Sequence, residues 1–429
     1  MTPNVTAARR PGFLRSMSRP SRSRVWLAAA VAAFAACTEA TAPAGRFPVL
    51  TDDGHGDWAS VSAGGNHTCA LKVDGTAYCW GSNSDGQLGT VASDTTCGKG
   101  NNLYPCTLVP RRVDTQLTFL SISAGMSHTC AISADRQAYC WGNNDNGQVA
   151  DFASSGPVLV HVPGTLPYAQ ISAGATHTCA IRSDGALFCW GANDRGQLGN
   201  SSATGGTVRV FLGAPVASVS AGQQRTCART TSGIVACWGA TWFARQNGLE
   251  MTRAVFSPAS VPAASVMSSI TVGSFTTCGT DFQARAYCWE ANPRGELGDG
   301  TQDGALVPHP VAGGLSFVQL SAGIVQTCGI ATTGAGYCWG DDTFGQLGVH
   351  PSVLVERCGA QDLPCATQPI AVTGLQKFVD LSTGFGSHTC GVTTNGNLYC
   401  WGLGVSGQRG DGSEFGGIAT PIRVVQPAK

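Results

Sequence analysis

The sequence has no lysine- or arginine-rich run after residue 36. Proteins that bind DNA or RNA present a basic face to the phosphates, so this absence argues against a nucleic-acid partner. Residues 1–36 contain six of the 26 basic residues and none of the 26 acidic ones, which leaves 20 basic against 26 acidic residues and a net charge near −6. An acidic chain of this kind disfavours nucleic-acid binding further.

Helical periodicity and the common catalytic patterns are also missing. No window shows a sustained period of 3.6 residues, and 57 glycines and 21 prolines are spread through the 429 residues, which predicts an all-β protein. No paired carboxylates, nucleophile elbow or phosphate loop stands apart from the repeats described below. Catalysis therefore has no candidate residues, and no cofactor or metal is expected. No apolar run after residue 36 is long enough to span a membrane.

The N-terminus has the order of a secretory signal. Arginines precede the short apolar run VWLAAAVAAFAA, and small residues follow before Cys37. The stretch FAAC resembles a bacterial lipoprotein box, in which Cys37 would carry the lipid; plain secretion is the alternative, because Phe34 stands where Leu is more usual. A lipid-bearing Cys37 would also account for the odd count of 19 cysteines. We expect a signal peptide over 1–36, a flexible tether over 37–57 and an exported, folded domain over 58–429.

One unit is repeated seven times after the tether. Each copy has two cysteines ten residues apart, usually just before Trp-Gly, as in HTCALKVDGTAYCWG at 67–81. Consecutive pairs are 61, 49, 48, 51, 50 and 62 residues apart. A period near 50 residues, built of short β-type runs and glycine turns, is typical of a propeller with one four-stranded blade per period. Unit two gives the predicted strands FLSIS 119–123, HTCAIS 128–133, AYCW 138–141 and PVLVHV 157–162.

Seven units predict a seven-bladed β-propeller of four-stranded antiparallel blades. The way the ring closes stays open, either in phase with the repeats or through an exchanged strand. FPVLT at 47–51 is the candidate for such a shared strand.

The order of motifs in each unit resembles a known family. His-Thr, Asp-Gly and Tyr-x-Trp-Gly are followed by Gly-Gln-Leu-Gly, over about residues 58–426. This order is similar to the repeats of the regulator of chromosome condensation family, and the resemblance implies a seven-bladed propeller. Unit four lacks the last motif, which stands at 86–89, 196–199 and 345–348, with variants GQVA at 147–150, GELG at 295–298 and GQRG at 407–410.

The repeated cysteine pair has three interpretations. A zinc site would need four converging ligands, and a redox pair would be Cys-x-x-Cys at a helix start. A three-residue turn with Gly75 at its positive-φ position instead makes Cys69 and Cys79 a non-hydrogen-bonded pair with Cα atoms about 4.5 Å apart. In an exported chain this favours a disulfide within each blade. The predicted pairs are Cys69–Cys79, Cys130–Cys140, Cys179–Cys189, Cys227–Cys237, Cys278–Cys288, Cys328–Cys338 and Cys390–Cys400.

Three other sets of repeated residues have structural interpretations. Histidines that recur at one repeat position are expected to bond loop backbone inside their own blade. The repeated tryptophans are expected to pack between blades. Aspartates near the Gly-rich turns are expected to stabilise those turns. The sets are His67, His128, His177 and His388; Trp80, Trp141, Trp190, Trp238, Trp289, Trp339 and Trp401; and Asp85, Asp145, Asp194 and Asp342.

Function is better sought where the repeat is broken. The repeat pattern predicts an insertion in unit one and another in unit seven, each between the third and fourth strands. Each insertion has its own cysteine pair, Cys97–Cys106 and Cys358–Cys365. Because a closed ring makes blades one and seven neighbours, we expect the two loops side by side, displaying a partner-binding patch. Two tolerated surface insertions are the alternative. The expected patch residues are Asn101, Asn102, Tyr104, Arg357, Gln361 and Asp362.

Unit four contains the second break. WGATWFARQNGLEM at 238–251 replaces the Gly-Gln-Leu-Gly segment and introduces Trp242, Phe243 and Arg245. An exposed aromatic pair beside an arginine suits a protein or sugar contact, and repacking of a degenerate blade is the alternative.

Together these features predict a non-enzymatic, exported, monomeric propeller that binds an unidentified protein through one loop face. The resemblance offers guanine-nucleotide exchange on a small GTPase as an alternative, against which export and the acidic chain argue. It also permits an extracellular role, since the same structural group includes a secreted inhibitor of β-lactamase. A polysaccharide-active enzyme would need clustered carboxylates that the sequence does not offer.

Overall fold

A computed structural model describes residues 56–427 apart from 150–154, 165, 201–205, 246–247, 262–265, 354–355 and 375–376. The predicted signal peptide, Cys37 and the FPVLT segment lie outside the described residues. Seven antiparallel sheets account for nearly all regular structure in the described part of the chain, which also contains one 3-10 helix, Ala312–Gly314. No helix in that part is long and apolar enough to cross a bilayer.

Each sheet is one blade made from consecutive strands. Blade one contains β1 (Trp58–Ala63), β2 (His67–Lys72), β3 (Ala77–Ser82), β4 (Thr95–Lys99) and β5 (Asn102–Arg112). Blade two contains β6 (Phe119–Ala124), β7 (His128–Ser133), β8 (Ala138–Gly142) and β9 (Gly156–His161). Blade three contains β10 (Tyr168–Ala173), β11 (His177–Arg182), β12 (Leu187–Gly191) and β13 (Val208–Val210). Blade four contains β14 (Val216–Ala221), β15 (Arg225–Thr230), β16 (Val235–Arg245) and β17 (Gly248–Ser260).

The remaining three blades follow the same order. Blade five contains β18 (Thr271–Val272), β19 (Thr276–Thr280), β20 (Ala286–Glu290) and β21 (Ala305–Pro310). Blade six contains β22 (Phe317–Ala322), β23 (Gln326–Ala331), β24 (Gly336–Asp341), β25 (Arg357–Cys358) and β26 (Leu363–Ala371). Blade seven contains β27 (Phe378–Thr383), β28 (His388–Thr393), β29 (Leu398–Gly402) and β30 (Ile418–Arg423). The seven-bladed prediction is confirmed, and blades one and six each gain a short fifth strand.

The central hairpin of each blade forms in the predicted register. In blade one the Lys72 and Thr76 backbones close the turn with a 3.0 Å hydrogen bond, and Gly75 has φ of 82°. The other six units have the same register. In all seven units the two cysteines lie opposite each other, with Cα atoms 4.0–4.1 Å apart. Arg136 and Ala284 replace the turn glycine in two units, and both take φ of 63°. The left-handed conformation therefore belongs to the turn rather than to glycine.

The hydrophobic core lies between neighbouring blades. In one cluster the Cys69–Cys79 disulfide and Leu88 of blade one pack with Trp141 of blade two. Each of the seven repeated tryptophans is at most 1% exposed. The prediction that the tryptophans pack between blades is confirmed, and the disulfides form part of these interfaces.

A ring of hydrogen bonds joins the innermost strands of all seven blades. In each bond a Ser or Thr hydroxyl of one blade accepts a backbone N–H of the next, as Ser62 does from Ala124 at 2.9 Å. The junction between blades seven and one has the same bond, from the Ala63 N–H to Ser382 at 3.0 Å. The ring therefore closes in phase with the repeats, with no strand exchanged among the described residues. The other donor–acceptor pairs are Ala173–Ser123, Ala221–Ser172, Val272–Ser220, Ala322–Thr271 and Thr383–Ser321.

A second contact between blades uses the repeated His, Thr and Trp residues. The carbonyl of Gln87 accepts the Thr129 hydroxyl at 2.8 Å and the Trp141 indole N–H at 2.9 Å. Because Thr129 donates its proton there, His67 Nε2, 2.9 Å from the same hydroxyl, must be the donor to it. We call this arrangement the histidine clamp. It recurs for His128 with Thr178, His177 with Thr226 and His388 with Thr68.

The clamp corrects one expectation and explains a motif. The histidines bond the next blade and not their own loop backbone: each Nε2 lies 2.8–2.9 Å from a Thr hydroxyl of the neighbour, and no Nδ1 has a hydrogen-bond partner among the described residues. The last glycine of Gly-Gln-Leu-Gly is also needed for this contact. A Cβ at Gly89 would stand 2.9 Å from Nε1 of Trp141, which only glycine avoids.

The junction of blades four and five replaces the clamp with an ion pair. Unit four lacks the Gly-Gln-Leu-Gly segment, and Nε1 of Trp289 has no acceptor in the part of the chain that the structure describes. Arg225, at the histidine position, instead lies 2.9 Å from Glu290, which stands where other units have the glycine after Trp. The Thr277 hydroxyl donates to the same carboxylate at 2.7 Å. A buried charge pair thus substitutes for the missing carbonyl.

Candidate functional site

The two non-repeated cysteine pairs mark equivalent insertions. Cys97 and Cys106 join β4 to β5, and Cys358 and Cys365 join β25 to β26, with Cα atoms 5.8 Å apart in both. Cys106 is opposite Ser82 and Cys365 is opposite Asp341, which are matching positions of the repeat. Both insertions connect the third strand to the fourth, as expected, and so lie on one face of the ring. We call it the insertion face.

The expected pairing of the two insertions is wrong. The chain leaves β24 at Asp341 and returns as β26 in the same sheet, so the second insertion belongs to blade six and not to blade seven. Inner-strand contacts run in sequence around the ring, and blade seven therefore lies between the two insertions. The expected patch residues form two separate groups, one on each side of blade seven.

The blade-one insertion is a hairpin that leans towards blade seven. Its tip residues Asn101 and Asn102 are exposed, and Leu103 is 58% exposed. Tyr104 is partly buried, because its hydroxyl lies 2.7 Å from the Ser406 hydroxyl of blade seven. The hairpin thus presents an apolar and amide-rich tip from a fixed base.

The blade-six insertion leans the other way, onto blade five. Arg294 donates to the Cys358 carbonyl at 3.1 Å and to the Gln361 side chain at 3.0 Å. Arg357 is exposed and donates to the Asp362 carbonyl across the turn at 3.3 Å, and Asp362 has φ of 52°. Gln361 therefore positions the loop, whereas Arg357 is displayed on its surface.

Blade seven supplies the surface between the insertions. Its linker between β29 and β30 is held by Arg409, which is fully buried and donates to the Phe415 carbonyl at 2.9 Å. The Phe415 side chain is 77% exposed, and Phe344 of the neighbouring turn is 40% exposed. Gly417 packs directly on the Phe344 backbone, so the two aromatics lie on adjoining segments.

Sequence reasoning missed Phe344 and Phe415. Phe344 precedes Gly-Gln-Leu-Gly at a position where the other units that have this motif carry a polar residue. This deviation in the sequence indicates an exposed aromatic side chain. The residues at that position are Asp85, Asn146, Arg195, Arg294, Phe344 and Ser406.

The break in unit four forms a long hairpin. β16 and β17 pair as far as Arg245 and Gly248, with Trp242 opposite Met251 and Phe243 opposite Glu250. The side chains of Trp242, Phe243 and Arg245 lie outside the described part, so their role stays a prediction.

Two cavities open on the insertion face. One, of about 380 Å³, lies between blades six and seven, and the other, of about 430 Å³, lies between blades one and two. Pro364 of one insertion and Pro105 of the other form matching walls. Each cavity is closed by the fourth strand of the next blade, at Ala419 and Pro157 respectively. The insertions therefore deepen two equivalent grooves. No group of three or more His, Cys, Asp or Glu side chains that could hold a metal occurs among the described residues.

Comparison with known proteins identifies the repeat. Two sequence models described as the regulator of chromosome condensation (RCC1) repeat match the chain. One matches residues 58–87, 119–148, 168–197 and 378–408, and the other matches 74–132 and 184–229.

Similar proteins match over short segments in sequence and over most of the chain in structure. The ultraviolet-B receptor UVR8 of Arabidopsis thaliana is 35% identical over 91 residues, 21% of this chain and 19% of that protein. The human regulator of chromosome condensation is 33% identical over 94 residues, 22% of this chain and 20% of that protein. The matched segments thus span about a fifth of these relatives. The structure of yeast RCC1 (Prp20) bound to Kap60 superimposes with a TM-score of 0.69 at 18% identity, covering 81% of this chain and 83% of that one.

Proposed function

Because the chain belongs to the regulator of chromosome condensation repeat family of seven-bladed propellers, we propose that it is a non-enzymatic scaffold that binds another protein through its insertion face. The contact surface comprises the blade-one hairpin, the blade-six insertion and the blade-seven linker between them. Yeast RCC1 in complex with Kap60 is an example of a propeller of this fold with a protein partner.

The main support is the arrangement of the two stapled insertions around an apolar surface. Leu103, Phe344 and Phe415 are exposed on three successive blades of the same face, and large apolar side chains at a rigid surface favour protein contacts. The disulfides and the Tyr104 and Arg294 hydrogen bonds hold the insertions in place before binding. A preformed loop loses little conformational entropy on association, which favours affinity.

We also propose that the propeller acts outside the cytoplasm, as a monomer tethered by a lipid on Cys37. Eighteen of the 19 cysteines are paired in nine disulfides, and such pairing is typical of oxidising compartments. Cys37 is the one cysteine left over, as expected of a lipid-bearing residue.

Affinity capture from the native envelope tests the scaffold proposal. The wild-type chain is compared with a Leu103→Ser/Phe415→Ser variant, in which two exposed apolar contacts on the insertion face are removed. The matched control is Phe282→Ser, because Phe282 is 63% exposed on the opposite, hairpin-turn face. We expect a partner that is retained by the control and lost by the double variant. A partner set that all three chains share would refute the proposed face.

Radiolabelled palmitate tests the anchor. We expect incorporation into the wild-type chain and none into Cys37→Ala, which should be released from the membrane fraction. An unlabelled wild-type chain would contradict lipidation and leave the scaffold proposal unaffected.

A further inference from the structure

The cavity between blades six and seven has a chemical feature that its counterpart lacks. Its described lining includes Asp342, Thr343, Phe344, Pro351 and Pro364. The matching cavity between blades one and two has Asn83 at the repeat position of Asp342. The described lining of each cavity therefore includes one carboxylate, but at different repeat positions: Asp342 in this cavity, and Asp85, two positions later in the repeat, in the other.

Asp342 makes one of the two side-chain hydrogen bonds that the equivalent Asn83 makes in unit one. Its Oδ1 accepts the Leu347 N–H at 2.9 Å, as Asn83 Oδ1 accepts the Leu88 N–H at 3.1 Å. The second atom of Asn83 is an amide nitrogen, which donates to the Thr90 carbonyl at 2.9 Å. Asp342 has an oxygen there instead, and this Oδ2 has no donor among the residues that the structure describes. The residue is 7% exposed and belongs to the cavity lining, so its carboxylate can be approached from the cavity.

The rest of the lining suits a cation on an apolar stem. The Thr343 hydroxyl donates to Asp341 at 3.0 Å, so towards a ligand it can only accept. Phe344 offers an aromatic ring, and Pro351 and Pro364 offer apolar walls. The lining also contains one cation, Arg357, whose guanidinium donates to the Asp362 carbonyl. Its remaining N–H groups suit the backbone carbonyls of a bound peptide.

We propose that this cavity binds a lysine side chain of a partner protein, with the ammonium at Asp342 and Thr343 and the methylene stem along Phe344 and the two prolines. The proposal rests on the proposed scaffold function in naming a protein as the source of the lysine. A volume of about 380 Å³ holds such a side chain together with part of its backbone.

The surroundings of Asp342 disfavour its charged form. Burial raises the pKa of this carboxyl to about 7, with the neighbouring Asp341 acting in the same direction and the Leu347 N–H opposing them. A bound ammonium would favour the ionised form.

Saturation-transfer NMR with N-acetyl-lysine methylamide tests the cavity without the partner. We expect saturable binding to the wild-type chain and at least tenfold weaker binding to Asp342→Asn. N-acetyl-norleucine methylamide, which has the stem without the charge, should bind at least tenfold more weakly than the lysine probe. Asp342→Asn should fold normally, because asparagine occupies this position in units one, two, three and five. Asp85→Asn removes an equal charge beside the other cavity and should leave probe binding unchanged.

Three results would overturn the inference: no saturable binding to the wild-type chain, equal binding by Asp342→Asn, or equal binding of the norleucine probe. These outcomes are separable from the capture experiment. Probe binding that depends on Asp342 with no captured partner would support the cavity and refute the scaffold. A captured partner with no probe binding would support the scaffold and refute the cavity.

Discussion

Acidification should weaken the histidine clamps, and His67→Gln isolates one of them. Burial lowers the pKa of His67 from 6.5 to about 3, with His128 and His388 acting in the same direction. The Nε2 atom donates to Thr129, and Nδ1 has no partner among the described residues, so a second proton would find no acceptor. The imidazole is therefore held neutral in the folded protein.

The lowered pKa of His67 determines the direction and the size of the change in the free energy of unfolding with pH. Because the unfolded chain takes up the proton first, the stability contributed by His67 is complete above pH 6.5 and is lost as pH falls towards 3. At about 1.4 kcal/mol per pH unit, the free energy of unfolding should fall by about 2 kcal/mol per clamp histidine between pH 7 and pH 5. Buried carboxyls oppose this trend, since burial raises the pKa of Glu296 to about 8. The comparison with a variant cancels their effect.

Urea unfolding without reductant, followed by tryptophan fluorescence at pH 7 and pH 5, measures the difference. Glutamine does not titrate, and unit six already has a buried glutamine, Gln326, at this position, 1% exposed. His67→Gln should therefore lose about 2 kcal/mol less than the wild-type chain over the same interval. Gln326→His is the reverse test and should lose correspondingly more. Equal losses in all three chains would refute the neutral, buried clamp.

Three further predictions concern the repeat. Ala284→Gly should raise the free energy of unfolding by about 0.5–1 kcal/mol, because Ala284 has φ of 63° in the hairpin turn; an unchanged thermal midpoint would contradict strain there. Thr129→Val should cost about 1–3 kcal/mol in urea unfolding, because it leaves the buried imidazole N–H of His67 unpaired, while the Gln87 carbonyl keeps its bond from Trp141; a loss below 1 kcal/mol would show that water replaces the hydroxyl. Non-reducing peptide mapping should join Cys69 to Cys79, and replacing both by alanine should cost about 2–3 kcal/mol by chemical denaturation; free thiols at these positions would exclude the staple.

Local features of the fold could be predicted from the sequence because they depend on neighbours in the chain. The period near 50 residues, the hairpin register and the disulfide between Cys69 and Cys79 all follow from spacing within one unit. The packing of the repeated tryptophans between blades could also be predicted, because one large apolar residue per unit must be buried against the next unit, whichever residues it contacts there.

Features that depend on the neighbouring blade could not be predicted in this way. The partner of His67 is a threonine 62 residues away, and no spacing within a unit identifies it. The insertion at 358–365 was assigned to the wrong blade because the distance between cysteine pairs does not tell which strand the extra residues follow; only the pairing of β24 with β26 does. Exposed residues such as Phe415 lie in a linker with no repeat to compare, and their exposure depends on how Arg409 folds the loop.

The junction that closes the ring has a consequence for chain connectivity. The contact between blades seven and one uses the same serine–amide bond and the same histidine clamp as the contacts inside the chain. The closing junction is therefore fastened in the same way as the clamped junctions inside the chain, and the order of blades matters more than the place where the polypeptide starts. A circular permutant that begins at Phe119 and joins β30 to β1 through about six residues, the length of the linker from His161 to Tyr168, should assemble the same propeller.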